Sequence, residues 1–217
     1  MKAVNTLLLI FMLCSILACR DQTSGKSETQ KGAIKIDTTK AVKIDGYWAV
    51  PKPSFDFNTW IKNTKDTLRL VTCSKYVYSP FGELKSKNAI TKSLLNKFLI
   101  KDSVIKYENY ASAYHFLTHK TSKLILYFDK DGPTHSYIFK GLINNADVDL
   151  ENGIKIGMDK ADFLNHFFNS FPKEIMDKYN FIKFDSCIQD IIHSYTFKQG
   201  KLVSVDFITD SYLDINF

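Results

Sequence analysis

Residues 191–208, IIHSYTFKQGKLVSVDFI, contain two runs of alternating apolar and polar side chains on either side of Gln199-Gly200. A side-chain period of two is typical of a β-strand with one buried face, and a glycine-containing dipeptide between two such runs is typical of a hairpin turn. We therefore predict antiparallel strands over residues 191–198 and 201–208. Their buried faces are predicted to carry Tyr195 and Phe197 on the first strand and Val203, Val205 and Phe207 on the second.

The same alternation occurs upstream, in residues 112–119, 123–129 and 135–143. Between the second and third runs, Lys130-Asp131-Gly132-Pro133 is a strong turn sequence. These three runs predict an antiparallel meander. Further strands are predicted over residues 41–50, interrupted at Gly46, over residues 67–72, and up to Ile156.

Three segments carry apolar residues at helical spacing. One is residues 88–100, one begins at Asp159 as N-cap and is stopped by Pro172, and a short one follows Ser54. Their apolar positions are, in order, Ile90, Leu94, Leu95, Phe98 and Leu99; Phe163, Leu164, Phe167, Phe168 and Phe171; and Phe57, Trp60 and Ile61. The predicted fold class is α+β, an antiparallel sheet with helices packed on one side.

A short internal match indicates two tandem helix–hairpin repeats. Residues 115–124 align without gaps to residues 193–202, and each follows a Leu-Asn-x-Phe sequence, at 95–98 and 164–167. Either the domain arose by duplication, with halves 34–146 and 147–217, or hairpins converge on Thr, Lys and Leu by composition. Both interpretations remain open at this point.

The composition is that of a globular domain. The 217 residues are 45% hydrophobic and 24% charged, which excludes collagen-like, disordered and multi-pass membrane classes. Most of the 17 Phe and 11 Tyr fall on alternating strand faces or one helical stripe. Core packing is therefore a better explanation of the high aromatic content than a binding role. The excess of 29 Lys+Arg over 23 Asp+Glu is spread along the chain, which argues against a nucleic-acid partner.

The first nineteen residues have the features of an export signal. Residues 7–17, LLLIFMLCSIL, follow Lys2 and are too short to span a bilayer, which takes roughly 20 apolar residues. Residues 16–19, Ile-Leu-Ala-Cys, resemble the lipobox of bacterial lipoproteins. The resemblance implies a signal peptide at residues 1–18 and acyl chains on Cys19 that anchor the protein in the cell envelope, expected in the outer membrane with its side left open. An ordinary cleavage site, or a cytosolic protein with an apolar first strand, is the alternative.

Residues 20–33, RDQTSGKSETQKGA, lack large apolar side chains and predict a flexible linker. With Cys19 they form the segment 19–33 between the signal peptide and the folded part. Residues 34–217 are then a single α+β domain, within the usual size range of one domain.

Residues 153–167, GIKIGMDKADFLNHF, resemble the strand-to-helix entry of small α+β envelope lipoproteins. These include the small lipoprotein subunit of the β-barrel assembly machine and the tandem-repeat β-lactamase inhibitor protein. The resemblance implies a turn at Gly157, a helix beginning at Asp159, and a sheet that binds protein surfaces without catalysis.

Candidate sites for chemistry are few. His115 and His119 have the i, i+4 spacing of helical metal ligands, but in a strand they lie roughly 13 Å apart and are expected to face solvent. The acidic residues Asp147, Asp149 and Glu151 resemble a calcium loop whose glycine is one place late and whose twelfth position is Met158. No nucleophile elbow, phosphate loop or Cys-x-x-Cys occurs, so we predict no catalytic residue, metal or cofactor.

Two cysteines, Cys73 and Cys187, remain after Cys14 in the signal and Cys19 at the anchor. In an oxidising compartment they could form a disulfide between the halves. Two separately buried thiols are the slightly favoured alternative.

Two functions follow from these observations. The first is a non-catalytic, membrane-anchored protein-interaction module of assembly, inhibitor or immunity type. The rival is an envelope enzyme or small-ligand binder with a cleft between the halves, where His135, His166 or carboxylates would converge. A flat aromatic sheet face would favour the first function.

Overall fold

The computed structural model describes residues 38–82, 97–106, 111–128, 136–188 and 190–209. All of them belong to one compact unit, residues 36–217. The predicted signal peptide (1–18), Cys19 and the predicted linker (19–33) lie outside the described residues.

The described elements are mostly strands. These are β1 (Val42–Ile44), β2 (Tyr47–Pro51), β3 (Thr67–Thr72), β4 (Leu99–Lys106), β5 (Ala111–His119), β6 (Ser122–Phe128), β7 (Ser136–Ile143), β8 (Phe168–Ser170), β9 (Phe181–Ser186), β10 (Ile191–Lys198) and β11 (Lys201–Thr209). The helices are short: α1 (Lys75–Tyr78), a 3-10 turn (Glu151–Gly153), α2 (Lys160–Phe167) and α3 (Lys173–Met176).

Eight strands form a large sheet in the order β3-β9-β10-β11-β7-β6-β5-β4, and β1-β2-β8 form a small sheet. Neighbouring strands of the large sheet are antiparallel except β3 and β9, which pair in parallel from Thr67 opposite Phe181 to Thr72 opposite Ser186. The prediction of an antiparallel sheet is wrong at this pair, and the sheet is mixed. A parallel pair needs a long connection, and more than a hundred residues separate β3 from β9 along the chain.

The hairpin β10–β11 confirms the strands predicted over residues 191–208. Gln199 and Gly200 have φ angles of 50° and 74°, the two positive values that a type I′ turn requires. The structure also has the predicted strands at β1–β2, β3, β5, β6 and β7. The predicted turn at residues 130–133 lies outside the described residues.

A β-bulge moves Val203 off its predicted face. Phe197 lies opposite Leu202 whereas Thr196 lies opposite Ser204, so Val203 is the extra residue. Leu202 is fully buried (0% exposed) and Val203 is only half-buried. The prediction for Val203 is wrong because the strand gains one residue at the bulge, which reverses its alternation.

Helix α2 begins after Asp159 as predicted but ends at Phe167. The next three residues form β8 and pair with β2, so Phe168 enters the core from a strand and the prediction that Phe168 and Phe171 share the helix is wrong. Asp159 occupies the N-cap position without a side-chain capping bond. Its carboxylate instead accepts a bond of 2.8 Å from Lys201.

Two further local predictions are wrong. The segment after Ser54 is not helical. Asn58 and Val71 exchange two backbone hydrogen bonds of 2.9 Å along the edge of β3, and in a helix the backbone groups of Asn58 would instead bond within the helix. The strand predicted to end at Ile156 is reduced to a bridge between Asp149 and Lys155. Of the helix predicted over residues 88–100, Leu99 and Ile100 begin β4, and residues 88–96 lie outside the described part of the chain.

The predicted repeat relates two hairpins, β5–β6 and β10–β11. Their turns fall at residues 120–121 and 199–200, whereas the gap-free match pairs residues 120–121 with 198–199. The matched hairpins are therefore one residue out of register at the turn, and duplication stays a prediction.

The main core lies on one face of the large sheet. The apolar side of α2 packs against β9 and β10, with Phe163 4.6 Å from Tyr195 and Phe167 4.7 Å from Phe184 between ring centroids. Buried residues of α1, α3 and the small sheet join the same core. The three α-helices that the structure describes thus contribute to one side of the sheet.

Candidate functional site

The side of the large sheet that faces away from the main core is called the outer face here. Along each strand, core residues alternate with outer-face residues. On β10, for example, Tyr195 and Phe197 are buried in the core while Ser194 and Thr196 point outward and are half-buried. The outer face is therefore set by the same alternation that builds the core.

One half of the outer face is aromatic. Tyr114, Ile125 and Phe139 form a second buried cluster, separate from the main core. The Tyr114 ring lies 5.4 Å from that of Tyr127 and 5.6 Å from that of Phe139. Half-buried Ile105, Phe116 and Tyr127 surround this cluster. We call these six residues, which come from β4 to β7, the aromatic half.

The other half is polar, and it lies on β3, β9, β10 and β11. Arg69 Nε donates to Asp185 Oδ2 at 3.2 Å, and this carboxylate raises the pKa of Arg69. Burial raises the pKa of Asp206, against the opposing effects of a hydrogen bond from Ser204 and the charge of Lys183. Asp206 is thus partly desolvated, and Arg69 and Asp185 form a two-pronged pair. Charged hydrogen bonds of this kind give the polar half a fixed geometry.

The histidines with metal-ligand spacing do not converge. Both lie on β5, where His115 Nδ1 is 2.7 Å from Asp102 Oδ1 and His119 Nε2 is 3.0 Å from Asp147 Oδ2. Their side chains are only 16% and 14% exposed, so the prediction that they face solvent is wrong, because each is covered by its own polar partner. The predicted strand placement, which separates the two rings, is confirmed.

Asp147 binds cations of the chain itself. Lys120 Nζ donates to its Oδ2 at 2.7 Å, and the bonds from Lys120 and then His119 hold the pKa of Asp147 well below its usual range. His119 Nδ1 also contacts the backbone oxygen of Lys97 at 3.0 Å. Asp147, the first residue of the acidic run, thus takes part in internal ion pairs.

Cys73 and Cys187 are joined in a disulfide with a Cα–Cα distance of 5.1 Å, so the favoured interpretation as free thiols is wrong. The parallel pairing explains the bond: β3 and β9 end at the same edge, and each cysteine follows its strand. Burial opposes ionisation of nearby Asp56, but bonds from Thr72 and Ser74 lower its pKa overall.

The cleft residues of the rival function are not brought together in the described structure. His166 lies half-buried on α2, where burial and then the charge of Lys52 lower its pKa. His135 lies outside the described residues. In the described ranges no three His, Cys, Asp or Glu side chains are placed to bind one metal ion.

Lys160 and His193 are two of the buried polar residues that escaped the sequence analysis. Lys160 is 5% exposed, and its Nζ donates to the backbone oxygens of Tyr179 at 2.7 Å and Met176 at 3.3 Å. His193 is 1% exposed, and burial lowers its pKa to about 3. The alternation of His193 with Tyr195 and Phe197 could have revealed its burial, whereas nothing in the sequence marks Lys160.

None of the helices in the described part of the chain has both the length and the apolar character needed to cross a bilayer. Comparison of the chain with protein-family models, curated proteins and solved structures finds no match.

Proposed function

We propose that this protein is a lipid-anchored lipoprotein of the bacterial cell envelope, and that it acts as a non-catalytic protein-interaction module of assembly, inhibitor or immunity type. The observation that carries the proposal is the outer face, an eight-stranded surface with an aromatic half and a polar half. The lipobox-like residues 16–19 support the anchor.

The size of the outer face fits a protein partner. Eight strands spaced about 4.8 Å apart, each contributing about six residues at 3.3 Å, give a footprint of roughly 760 Å². A standard protein–protein interface buries about 800 Å² on each partner. This footprint is the whole outer face; because Tyr114, Ile125 and Phe139 are buried, a partner would contact the half-buried and exposed residues around them.

Its chemistry also fits. Tyrosine, phenylalanine and arginine are enriched in the centres of interfaces, where they give large contact areas and two-pronged hydrogen bonds. Phe116 and Tyr127 retain partial exposure in the aromatic half, and Ile208 on β11 is 47% exposed. The disulfide gives small additional support for an oxidising compartment, where such bonds persist.

Site-specific photo-crosslinking in intact cells tests the interaction. A photoreactive residue is placed at Phe116 in the aromatic half, at Thr196 in the polar half, and at exposed Asp162 on α2 as the control. We expect one and the same crosslinked protein from the two outer-face positions and none from Asp162. Failure of both outer-face positions, or equal crosslinking from Asp162, would contradict the proposal.

The anchor is tested separately, by metabolic labelling with an alkyne fatty acid. The unchanged chain should incorporate the label and the Cys19→Ser variant should not. Equal labelling of both would contradict lipidation at Cys19.

A further inference from the structure

Both tryptophans of the chain are exposed in the folded domain. Trp48 is 63% exposed on β2 and Trp60 is 80% exposed in the segment that precedes β3, with Tyr47 beside Trp48 at 43%. Exposed apolar side chains mark a contact site when they form a patch, whereas single ones are common on protein surfaces. Since all three are outside the core, fold stability does not account for them.

The two tryptophans belong to segments of the chain that contact each other. Asn63 Nδ2 donates to Asp45 Oδ1 at 3.4 Å, which joins the Trp60 segment to the turn of the β1–β2 hairpin. Trp48 and Trp60 are each three residues from this contact, and three residues span at most about 11 Å, so the two residues lie within about 30 Å of each other. We call the region of Trp48, Trp60, Lys43, Lys62 and Lys65 the tryptophan end.

The charges of this end are mostly positive. Lys43, Lys62 and Lys65 are exposed, and the Lys43 Nζ lies 5.8 Å from the ring centroid of Trp48. Of the acidic residues nearby, Asp45 is bound by Lys178 and Tyr179, Asp56 accepts bonds from Thr72 and Ser74, and exposed Asp66 accepts a bond from Thr67. Exposed indoles beside lysines form a surface that is both amphipathic and cationic.

We infer that the tryptophan end docks on the headgroup region of an anionic lipid bilayer. Tryptophan and tyrosine concentrate at membrane–water interfaces because one part of the ring is apolar and another donates a hydrogen bond. Lysines near such a surface are attracted by anionic headgroups. This charge complementarity favours lipid over a protein surface.

The inference uses the anchor of the proposed function, because a tether raises the local concentration of lipid at the domain. Val42, the first residue of β1, is 23 positions after Cys19, so the chain can place this end no further than about 80 Å from the anchor. At such distances, binding that would be weak between free molecules becomes substantial. The domain would then rest on the membrane in one orientation.

Intrinsic fluorescence tests this directly, because the chain has 2 tryptophans and both belong to this end. The full chain is mixed with phosphatidylcholine vesicles with or without phosphatidylglycerol, and with acyl chains brominated or not. We expect a blue shift and bromolipid quenching with the anionic vesicles, in the Trp48→Phe and the Trp60→Phe variant alike. Quenching of only one tryptophan, or of neither, overturns the inference.

A matched reporter controls for proximity alone. In the Trp48→Phe/Trp60→Phe background, a tryptophan at Val104, which is 62% exposed on β4, should show neither shift nor quenching. Lys62→Gln/Lys65→Gln should raise the lipid concentration for half-maximal quenching by roughly fivefold per lysine, whereas Lys101→Gln/Lys106→Gln on β4 should not. Equal quenching at Val104, or equal effects of both lysine pairs, contradicts a specific surface.

Flotation separates this inference from the anchor. A chain that floats with vesicles but shows no quenching keeps its anchor and overturns the docking. Cys19→Ser should still be quenched at higher lipid concentration, since the surface itself is unchanged, and loss of quenching at all lipid concentrations counts against docking. A blue shift that requires an added envelope protein and no lipid would assign this end to a protein partner and overturn the inference.

Discussion

Breaking the Cys73–Cys187 disulfide should cost a large part of the domain's stability. The two cysteines are 114 residues apart in sequence. In the chain-entropy description, a closed loop of this length restricts the unfolded chain by about 5 kcal/mol at 25 °C. Domains of this size are stable by only about 5–15 kcal/mol in total, so the bond accounts for a third or more of the stability.

The assay is urea unfolding of the Cys73→Ser/Cys187→Ser variant, followed by circular dichroism. With a denaturant dependence of about 2 kcal/mol per molar, the midpoint should fall by roughly 2 M. Cys73 is exposed, so serine there should fit without strain. The reduced, alkylated wild-type chain is the matched control and should unfold at the same midpoint as the double variant.

Two outcomes would refute this reasoning. A midpoint shift corresponding to less than about 1 kcal/mol would mean that the bond does not act by restricting the unfolded chain. Two thiols that can be alkylated in the native, unreduced protein would mean that the bond is not formed. Mass measurement with and without reductant distinguishes these results.

Three further changes test the core. Gly141→Ala should destabilise by about 1–3 kcal/mol in urea unfolding, because the added Cβ would meet Leu124 Cδ2 at 2.6 Å and Phe207 Cδ2 at 2.8 Å; unchanged stability would contradict the close packing of β6, β7 and β11. Phe163→Ala should lose about 3–5 kcal/mol, because this ring is fully buried (0% exposed) among other aromatics, and a loss under 1 kcal/mol would be inconsistent with that burial. Burial lowers the pKa of His193 from 6.5 to about 3, so between these pH values the unfolded chain binds a proton that the folded chain excludes. Stability should therefore fall as pH falls through this window, by up to about 1.4 kcal/mol per pH unit, and a His193→Phe variant measured over the same pH series should show a shallower slope.

The alternation of apolar and polar residues was enough to predict most strands. One side of each strand is buried, so apolar residues recur at every second position of the sequence. Leu68 and Leu70 in residues 67–72, and Tyr195 and Phe197 in residues 191–198, are alternating positions that are buried. The parallel pairing of β3 with β9 could not be predicted in this way, since it depends on the path of more than a hundred intervening residues. The sequence offered the disulfide as one of two alternatives, and the choice between them depends on that pairing.

The wrong helix after Ser54 shows how a tertiary contact overrides spacing. Phe57, Trp60 and Ile61 have helical spacing, but Phe57 is buried (5%) while Trp60 is 80% exposed. Backbone hydrogen bonds between Asn58 and Val71 cover the open edge of β3 instead. Satisfying an otherwise unpaired sheet edge outweighs a short helix, whose nucleation is unfavourable.

From the sequence, a flat aromatic sheet face was named only as an observation that would favour protein binding. The aromatic residues themselves were assigned to core packing. Tyr114 and Phe116 alternate with His115 and Leu117, so both sides of β5 carry large side chains. Such a strand indicates that both faces of the sheet are in use. The sequence could not show which face would hold the main core, because that depends on where α2 packs.

The two proposed surfaces are compatible in one molecule. Asn63 accepts a hydrogen bond of 2.9 Å from the backbone nitrogen of Arg69, which places the tryptophan end beside β3 at one edge of the sheet. The aromatic half lies on β4 to β7, and its nearest strand, β7, is four strand spacings from β3, or about 19 Å. Docking at the β3 edge would therefore leave the aromatic half free. A lipid-docked domain could therefore present its outer face to a partner in a fixed orientation, and loss of docking should weaken capture of that partner without changing the face itself.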